Sequence, residues 1–503
     1  MEKVAVIQLD AMSLRLLLVE VEGIYFRPVE EIVENLKLGR DITNGQFINV
    51  VNVSTTLKIL KMFRKLCDAN GVTKSYAIAS PIFKTAKNEK SFFEEIYNNT
   101  GFNFQIISEE DEMKATYSGV INNIDCPKGV LFHIDWTYSA VILYNRRNIL
   151  KYIKINDGCL SLAEKFENEN CSNQQKAKLI QQYIYDIVEN SGFKGFVDSE
   201  CAFVASGISF LDIGRLARKA THYPLELENN YPVTREVFDN VYNFVEGLDL
   251  NKTMKLKGVT ADRADTLLSG ISVAKVLMEY FNVPSFQISS FGMREGIIYN
   301  YVIPNILDKP LGEMMNYSLD NIKMFYDNVA PNDNHLYDLT IILFKQIKVL
   351  HKLSRNYVKP LKIAATLCES GKRINFEKNT EASFHVILNS NISGASHKEI
   401  LIAAFASLCQ NPDNFNLSEW IKYKDLLTEE DLDAVRKIGM IIKLASILDK
   451  SKNKVVEDIN CDILGDSVII KTVVNKDASF EIMLANKLAP QFKKVFKKNL
   501  QVI

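Results

Sequence analysis

The sequence predicts an α/β protein with a duplicated core, and three observations carry that prediction. A β-hairpin opens the chain and a similar hairpin recurs near residue 130. Strands alternate with amphipathic helices after each hairpin, and beyond Pro304 the pattern turns almost wholly helical. Strand–helix alternation is the signature of layered α/β lobes, and its recurrence that of an internal repeat.

The first hairpin runs Val4–Leu9, turns through Asp10-Ala11-Met12-Ser13 and returns as Leu14–Val19. The second runs Val130–Asp135, turns through Trp136-Thr137-Tyr138-Ser139 and returns as Ala140–Tyr144. Two apolar, β-rich runs joined by a short polar turn form a hairpin. After the first, Gly23 to Arg40 reads as strand and turn, and Ser54 to Ala69 as a helix with Leu57, Leu60, Phe63 and Leu66 at helical spacing. Ser75–Ala79 is a short strand, Ser91–Tyr97 a helix, and Phe104–Ile107 a strand. Ser108 then caps a helix whose first turn is acidic, Glu109 to Glu112.

The second half repeats the scheme. Gln174–Asn190 is an amphipathic helix, Phe203–Gly207 runs from strand into turn, and Val233–Gly247 and Ala261–Phe281 are helical. Val283–Ser289 is a strand and Gly292–Val302 a helix. Pro304 to Gly312 reads as a linker. A strand at Ser467–Val474 and a closing helix from Phe480 end the chain. That tail carries Lys487, Lys493, Lys494, Lys497 and Lys498, either a solvated helix end whose lysines complement the dipole or a track for a phosphate polymer. The implied domains are 1–122 (lobe I), 123–303 (lobe II), 304–317 (linker), 318–455 (helical) and 456–503 (α+β).

Composition narrows the classes of function. The 503 residues suit about three or four domains of roughly 100–200 residues each. A net charge of −1 argues against a dominant nucleic-acid or anionic-membrane role, which needs a basic excess. The eight cysteines are scattered singly, with no metal-ligand spacing, which argues against zinc and fits a reducing cytoplasm. Asp10 interrupts the N-terminal apolar run, so no signal peptide is expected, and no stretch of 18 apolar residues predicts a membrane span.

The runs Lys84 to Asn88, Glu112 to Lys114, Gly258 to Asp265 and Ser289 to Gly296, taken in this order and spacing, resemble the exopolyphosphatase/guanosine pentaphosphate phosphohydrolase (Ppx/GppA) family of the actin and sugar-kinase superfamily. Ser289-Ser290-Phe291-Gly292-Met293-Arg294-Glu295-Gly296 is similar to its S-D-x-x-x-R-E-G run, and Gly258 to Asp265 to its G-x-x-x-x-R-A-D run. Lys84-Thr85-Ala86-Lys87-Asn88 resembles R-x-A-x-N, and Glu112-Met113-Lys114 resembles E-A-R. The resemblance implies a duplicated actin-like ATPase fold, an all-α HD-like domain and a small α+β C-terminal segment. In the helical part, Ala364 to Gly371 is similar to A-A-x-L-H-[DE]-x-G and Leu444 to Ser451 to the R-x-A-D-A-L-D-x-S helix. Cys368 replaces a metal-site histidine, so no HD metal is expected, and His385 and His397 fall off register.

The family holds phosphate in two hairpin turns, D-x-G-S-N-S and D-x-G-G-G-S, because an anion needs bare backbone N–H groups. Here Gln8, Asp10 and Met12 replace the Asp, Gly and Asn of the first turn, while Ser13 is kept. Asp135 is kept in the second, but Thr137, Tyr138 and Ser139 stand at its glycine positions. A carboxylate at Asp10 would repel phosphate by about 4 kcal/mol at ~4 Å and an effective dielectric near 20. Tyr138 would fill the pocket with its ring. The resemblance implies weakened phosphate ligands at Ser13, Arg15, Lys84, Ser139 and Gly207, with Ile208 lacking the hydroxyl that usually follows the glycine. It implies Glu112 as the base and Asp135 as a carboxylate for Mg²⁺.

The expectation is therefore a family member with an eroded phosphate site, a non-catalytic regulator or ligand-binding homologue. Two alternatives stand beside it. One is a weak Mg-dependent exopolyphosphatase or guanosine pentaphosphatase using Glu112; the other is a dimeric assembly protein without a small ligand. Polyphosphate or guanosine phosphates are the implied ligands and a homodimer the implied assembly.

Overall fold

The computed structural model describes residues 1–167, 172–303, 310–327, 334–411 and 415–503. Part of the expected linker, 304–309, and Cys171 lie outside these residues. The chain forms two compact units, Met1–Met314 and Met315–Ile503.

The first unit holds two sheets of matching topology. Strands β1 (Glu2–Leu9), β2 (Ser13–Glu22) and β3 (Tyr25–Asn35) form an antiparallel meander. Strands β4 (Lys74–Ala79) and β5 (Phe104–Ile106) then add in parallel, giving the order β3-β2-β1-β4-β5. In the second sheet β6 (Lys128–Ile134), β7 (Ser139–Asn145) and β8 (Asn148–Ile155) form the meander, and β9 (Ala202–Ser206) pairs parallel with β6. An antiparallel strand β10 (Tyr231–Thr234) lies outside β11 (Ser285–Ile288), for an order of β10-β11-β9-β6-β7-β8. Read from the meander, the first five strands of each sheet follow one path. The duplication predicted from the two hairpins is thus present in the strand order.

Helices cover the sheets. The first lobe carries α1 (Leu38–Gly45), α2 (Val50–Ala69), α3 (Glu89–Thr100) and α4 (Glu109–Ile121). The second carries α5 (Cys159–Lys165), α6 (Asn173–Asn190), α7 (Ile208–Ala220), α8 (Arg235–Glu246), α9 (Leu250–Thr253), α10 (Leu267–Tyr280) and α11 (Met293–Ile297). Residues Val4 to Ile7 and Val130 to Ile134 are buried throughout, as central strands covered on both faces must be. One core joins the first sheet to α2 and α3 through Leu60, Phe63, Phe92 and Ile96. Another joins the second sheet to α6, α7, α8 and α10. The opposite face of β6 and β7 packs against α4 through Met113, Tyr117, Val120 and Ile121. Although α4 closes the first lobe in sequence, it is therefore bedded on the second sheet.

Two glycines fix that placement. A Cβ on Gly119 would stand 1.9 Å from the Gly292 carbonyl oxygen, and one on Gly296 would stand 1.7 Å from that of Ala115. Helices α4 and α11 thus cross backbone to backbone, which only glycine permits.

The second unit is largely helical from 334 to Leu448 and ends in a three-stranded sheet. That sheet orders β12 (Val456–Ile463), β13 (Ser467–Val474) and β14 (Asn499–Val502) sequentially, with β14 parallel to β13.

Several expected elements are corrected. Val233 and Thr234, expected in a helix, lie in β10, because they pair with Phe286 and Ser285; Thr234 then caps α8 by accepting from Val237 N. The helix expected over Ala261–Phe281 begins as a 3₁₀ turn, Ala261–Arg263, before α10, and Gly292–Val302 is α11 followed by a π turn. The closing helix is two helices, Ser479–Asn486 and Ala489–Phe496, followed by β14, and the segment before Arg40 turns helical at Leu38. Among the described residues no helix is long and apolar enough to cross a membrane, and every cysteine is a free thiol.

Candidate functional site

The first hairpin turn is closed by the Asp10 N–H donating to the Ser13 carbonyl at 2.9 Å. Asp10 Oδ1 accepts the backbone N–H of Met12 at 2.8 Å and of Ser13 at 2.6 Å, while Oδ2 accepts the Ser13 hydroxyl at 2.8 Å. An aspartate holding N–H groups two and three residues ahead is an Asx turn. These are the N–H groups that the resemblance assigns to phosphate, and the chain's own carboxylate holds them. Arg15 Nε donates to Ser13 Oγ at 3.0 Å and lies 3.7 Å from Asp10 Oδ2. Burial raises the Asp10 pKa; Arg15 opposes the rise and Asp135 adds to it. Gln8, at the family's aspartate position, points its amide at the Met293 sulfur, 3.6 Å away.

The second turn is closed by the Asp135 N–H donating to the Tyr138 carbonyl at 3.0 Å. Asp135 Oδ1 accepts the Trp136 N–H at 2.8 Å, and Oδ2 lies 3.6 Å from His133 Nε2. Behind the turn, Cys159 N donates to the Asp135 carbonyl and Leu160 N to that of Trp136, each at 2.8 Å. The N-terminal donors of α5, a natural anion seat, are thereby occupied by turn carbonyls. Ser139 directs its hydroxyl to the Asp157 carbonyl at 2.9 Å.

The two turns meet through hydrocarbon. Ala11 and Met12 of the first pack with Trp136 of the second and with Cys159 and Leu160, and all five are buried. The ring that fills this junction is Trp136. Tyr138, expected to fill the pocket, turns under α4 instead, where its hydroxyl lies 3.2 Å from Thr116 Oγ1 and its ring packs with Met113.

Glu112, in the first turn of α4, is 5% exposed and accepts the Ser80 hydroxyl at 2.8 Å. Burial pushes its pKa up to about 8; the Ser80 hydrogen bond opposes this, Asp135 adds to it, Lys154 opposes and Asp10 adds. Burial would also raise Asp135, but His133, the Trp136 N–H and Arg15 together outweigh it and hold Asp135 below the usual carboxylate range. The fold thus brings Asp10, Glu112 and Asp135 into mutual electrostatic range. Among the described residues, however, no group of three or more His, Cys, Asp or Glu could hold one metal ion. Asp135 Oδ1 accepts the Trp136 N–H and Oδ2 faces His133, so a Mg²⁺ held at Asp135 would have to take most of its ligands from water.

Of the remaining candidates, Lys84 is exposed on the 3₁₀ turn Pro81–Thr85. Gly207 caps α7 with φ +91°, and a Cβ there would stand 2.4 Å from the Ile134 carbonyl oxygen. Close strand–helix packing alone therefore requires glycine at 207. Beside it, Ser206 Oγ lies 2.9 Å from His133 Nδ1. Sequence reasoning gave no role to Trp136, Ser80 or His133, and saw in Met12 only the loss of the family's Asn.

Comparison with known proteins places this geometry. The model of the Ppx/GppA phosphatase family matches residues 17–303, and the chain belongs to that family. A bifunctional 3-dehydroquinate synthase/phosphatase of Fusobacterium nucleatum is 25% identical over 291 residues, covering 55% of this chain and 43% of that protein. A guanosine-5'-triphosphate,3'-diphosphate pyrophosphatase of Pseudoalteromonas translucida is 22% identical over 329 residues, covering 64% and 63%. The chain thus spans less than two thirds of the length of either relative. An exopolyphosphatase from Cytophaga hutchinsonii superposes with a TM-score of 0.55 at 15% identity, over 59% of this chain and 97% of that one. The Aquifex aeolicus family member gives 0.51 at 19% identity, over 60% and 97%. These structures share the duplicated actin-like fold.

Proposed function

We propose that this chain is a non-catalytic member of the Ppx/GppA family, a regulator or ligand-binding homologue that keeps the two-lobed scaffold without a working phosphate cradle. The observation that carries this reading is the Asp10 carboxylate on the Met12 and Ser13 N–H groups. It stands in for the anion at one of the two turns where phosphoryl transfer would depend on preorganised donors. The buried contact of Trp136 with Met12 and Ala11 supports it further, since a chain of phosphates would have to part those side chains.

A second reading, slow hydrolysis of polyphosphate or guanosine pentaphosphate with Glu112 as base, is favoured by the burial of Glu112 beside Asp135. A carboxyl titrating near 8 is mostly protonated at neutral pH, which leaves only a minor ionised fraction to act as base. Any such activity would rise with pH through that range.

Phosphate release from polyphosphate and guanosine pentaphosphate, with Mg²⁺, separates the two. The proposal expects no turnover above that of Glu112→Gln. Turnover that the substitution abolishes establishes the second reading instead.

A further inference from the structure

A cavity of about 510 Å³ lies within the second unit, where the helices His397–Leu408, Glu429–Leu448 and Ala489–Phe496 meet. Its volume falls within the range of small-molecule sites, about 300–1,000 Å³. Cys409, Gln410 and Met440 are buried beneath it, and Phe415 lines it with an aromatic ring.

The charges around it are lopsided. Arg436, Lys494 and Lys497 line it together with one carboxylate, Asp433, and that carboxylate is already paired with Lys437 at 2.6 Å. Among the described residues none of the three cations has an ion-pair partner. Lys497 Nζ donates to the Lys494 carbonyl at 3.0 Å, which keeps two further N–H donors on that ammonium. The Cys409 thiol adds no negative charge, because burial pushes its pKa up to about 12 against the pull of Arg436.

Helix ends explain only part of this. Lys494 lies in the last turn of its helix and Lys497 just beyond it, where cations complement the dipole. Arg436 sits in the interior of Glu429–Leu448, where the dipole gives a cation no such advantage. Of the other tail lysines, Lys487, Lys493 and Lys498 do not line the cavity, and Lys498 is held by the Gly465 carbonyl. The cations gather at one cavity, from two helices, and not along the tail.

The kind of ligand follows. Three cations without carboxylate partners match a multiply charged anion, and a phosphate monoester carries about −1.5 to −2 at neutral pH. Arginine and lysine both suit phosphate, arginine through its planar fork. The cavity is larger than a bare phosphate needs, and Phe415 offers the remainder a flat surface. Its ring is braced by Phe405 and Trp420, at 6.1 and 6.2 Å between centroids, and the Arg436 guanidinium stands 5.5 Å from it. Planar rings stack on such a side chain. We propose that this cavity binds a small organic phosphate, with its phosphate on Arg436 and Lys494 and a planar ring against Phe415.

Adenosine monophosphate is the probe, titrated calorimetrically into the full chain. Saturable binding is expected, weakening as salt rises because exposed cations are screened. Arg436→Gln should weaken it by about tenfold or more, and Lys494→Gln by a smaller factor. Both side chains are exposed, so the unfolding midpoints of these variants should stay close to that of the parent chain. Inorganic phosphate and polyphosphate, which offer no ring to Phe415, should give no saturable heat. No saturable heat from adenosine monophosphate at millimolar concentration overturns the proposal. An undiminished response in Arg436→Gln overturns the site. Adenosine binding as tightly as its phosphate overturns the anion, and saturable binding of polyphosphate overturns the ring-bearing ligand class.

Discussion

Asp10 Oδ1 lies 2.6 Å from the amide nitrogen of Ser13, so the first hairpin turn is closed by its own aspartate. The carboxylate that adds charge at this turn also takes two of its backbone donors, those of Met12 and Ser13. The proposed loss of anion binding rests on both effects, charge and competition for the same N–H groups.

Removing that carboxylate leaves two buried amides and the Ser13 hydroxyl without an acceptor. Asp10→Ala should lower stability by about 1–3 kcal/mol, measured by urea unfolding. The loss should fall toward the lower end, because burial raises the Asp10 pKa and part of the interaction offsets that cost.

Glu112 makes stability depend on pH. Its folded pKa of about 8 exceeds the ordinary 4.5 of a glutamate, so the folded chain binds more protons between those values. The contribution is fully present below pH 4.5 and is lost as pH rises through 8, at up to about 1.4 kcal/mol per pH unit. Unfolding free energies at pH 5.5, 6.5 and 7.5 should decline less steeply in Glu112→Gln than in the parent chain.

The α4–α11 crossing leaves no room for a methyl group. Gly296→Ala should destabilise the protein by about 2 kcal/mol or more, or prevent folding, since backbone must move. Gly195→Ala, where nothing lies within 4 Å, should change stability by less than about 0.5 kcal/mol.

Trp136 reports directly on the junction of the turns. The chain has two tryptophans, and Trp420→Phe leaves Trp136 alone. Its emission should be blue-shifted, protected from acrylamide and unmoved by polyphosphate. Trp136→Ala should cost about 3–5 kcal/mol, as large aromatic truncations in cores do.

Much of this was legible in the sequence, for physical reasons. The hairpins announce themselves through apolar runs on either side of a polar turn, and the loss of turn glycines is visible by inspection. The direction of the Asp10 side chain was not. Asp-Ala-Met-Ser carries an Asx-turn signal, which points the carboxylate back onto its own turn and not outward toward a ligand. The partition between Trp136 and Tyr138 was also hidden. Which ring faces the junction depends on how the turn after β6 closes, with Asp135 N on the Tyr138 carbonyl, and on α4 lying over the sheet. Strands β12 and β14 escaped because their sequences, rich in polar residues, become strands only by pairing with β13.

The measurement closest to the central claim is calorimetric titration of polyphosphate, with Mg²⁺, into the unmodified chain and into Asp10→Gly. The account predicts no saturable heat for the unmodified chain and measurable binding once glycine frees the Met12 and Ser13 amides. Saturable binding to the unmodified chain, undiminished relative to Asp10→Gly, would contradict it.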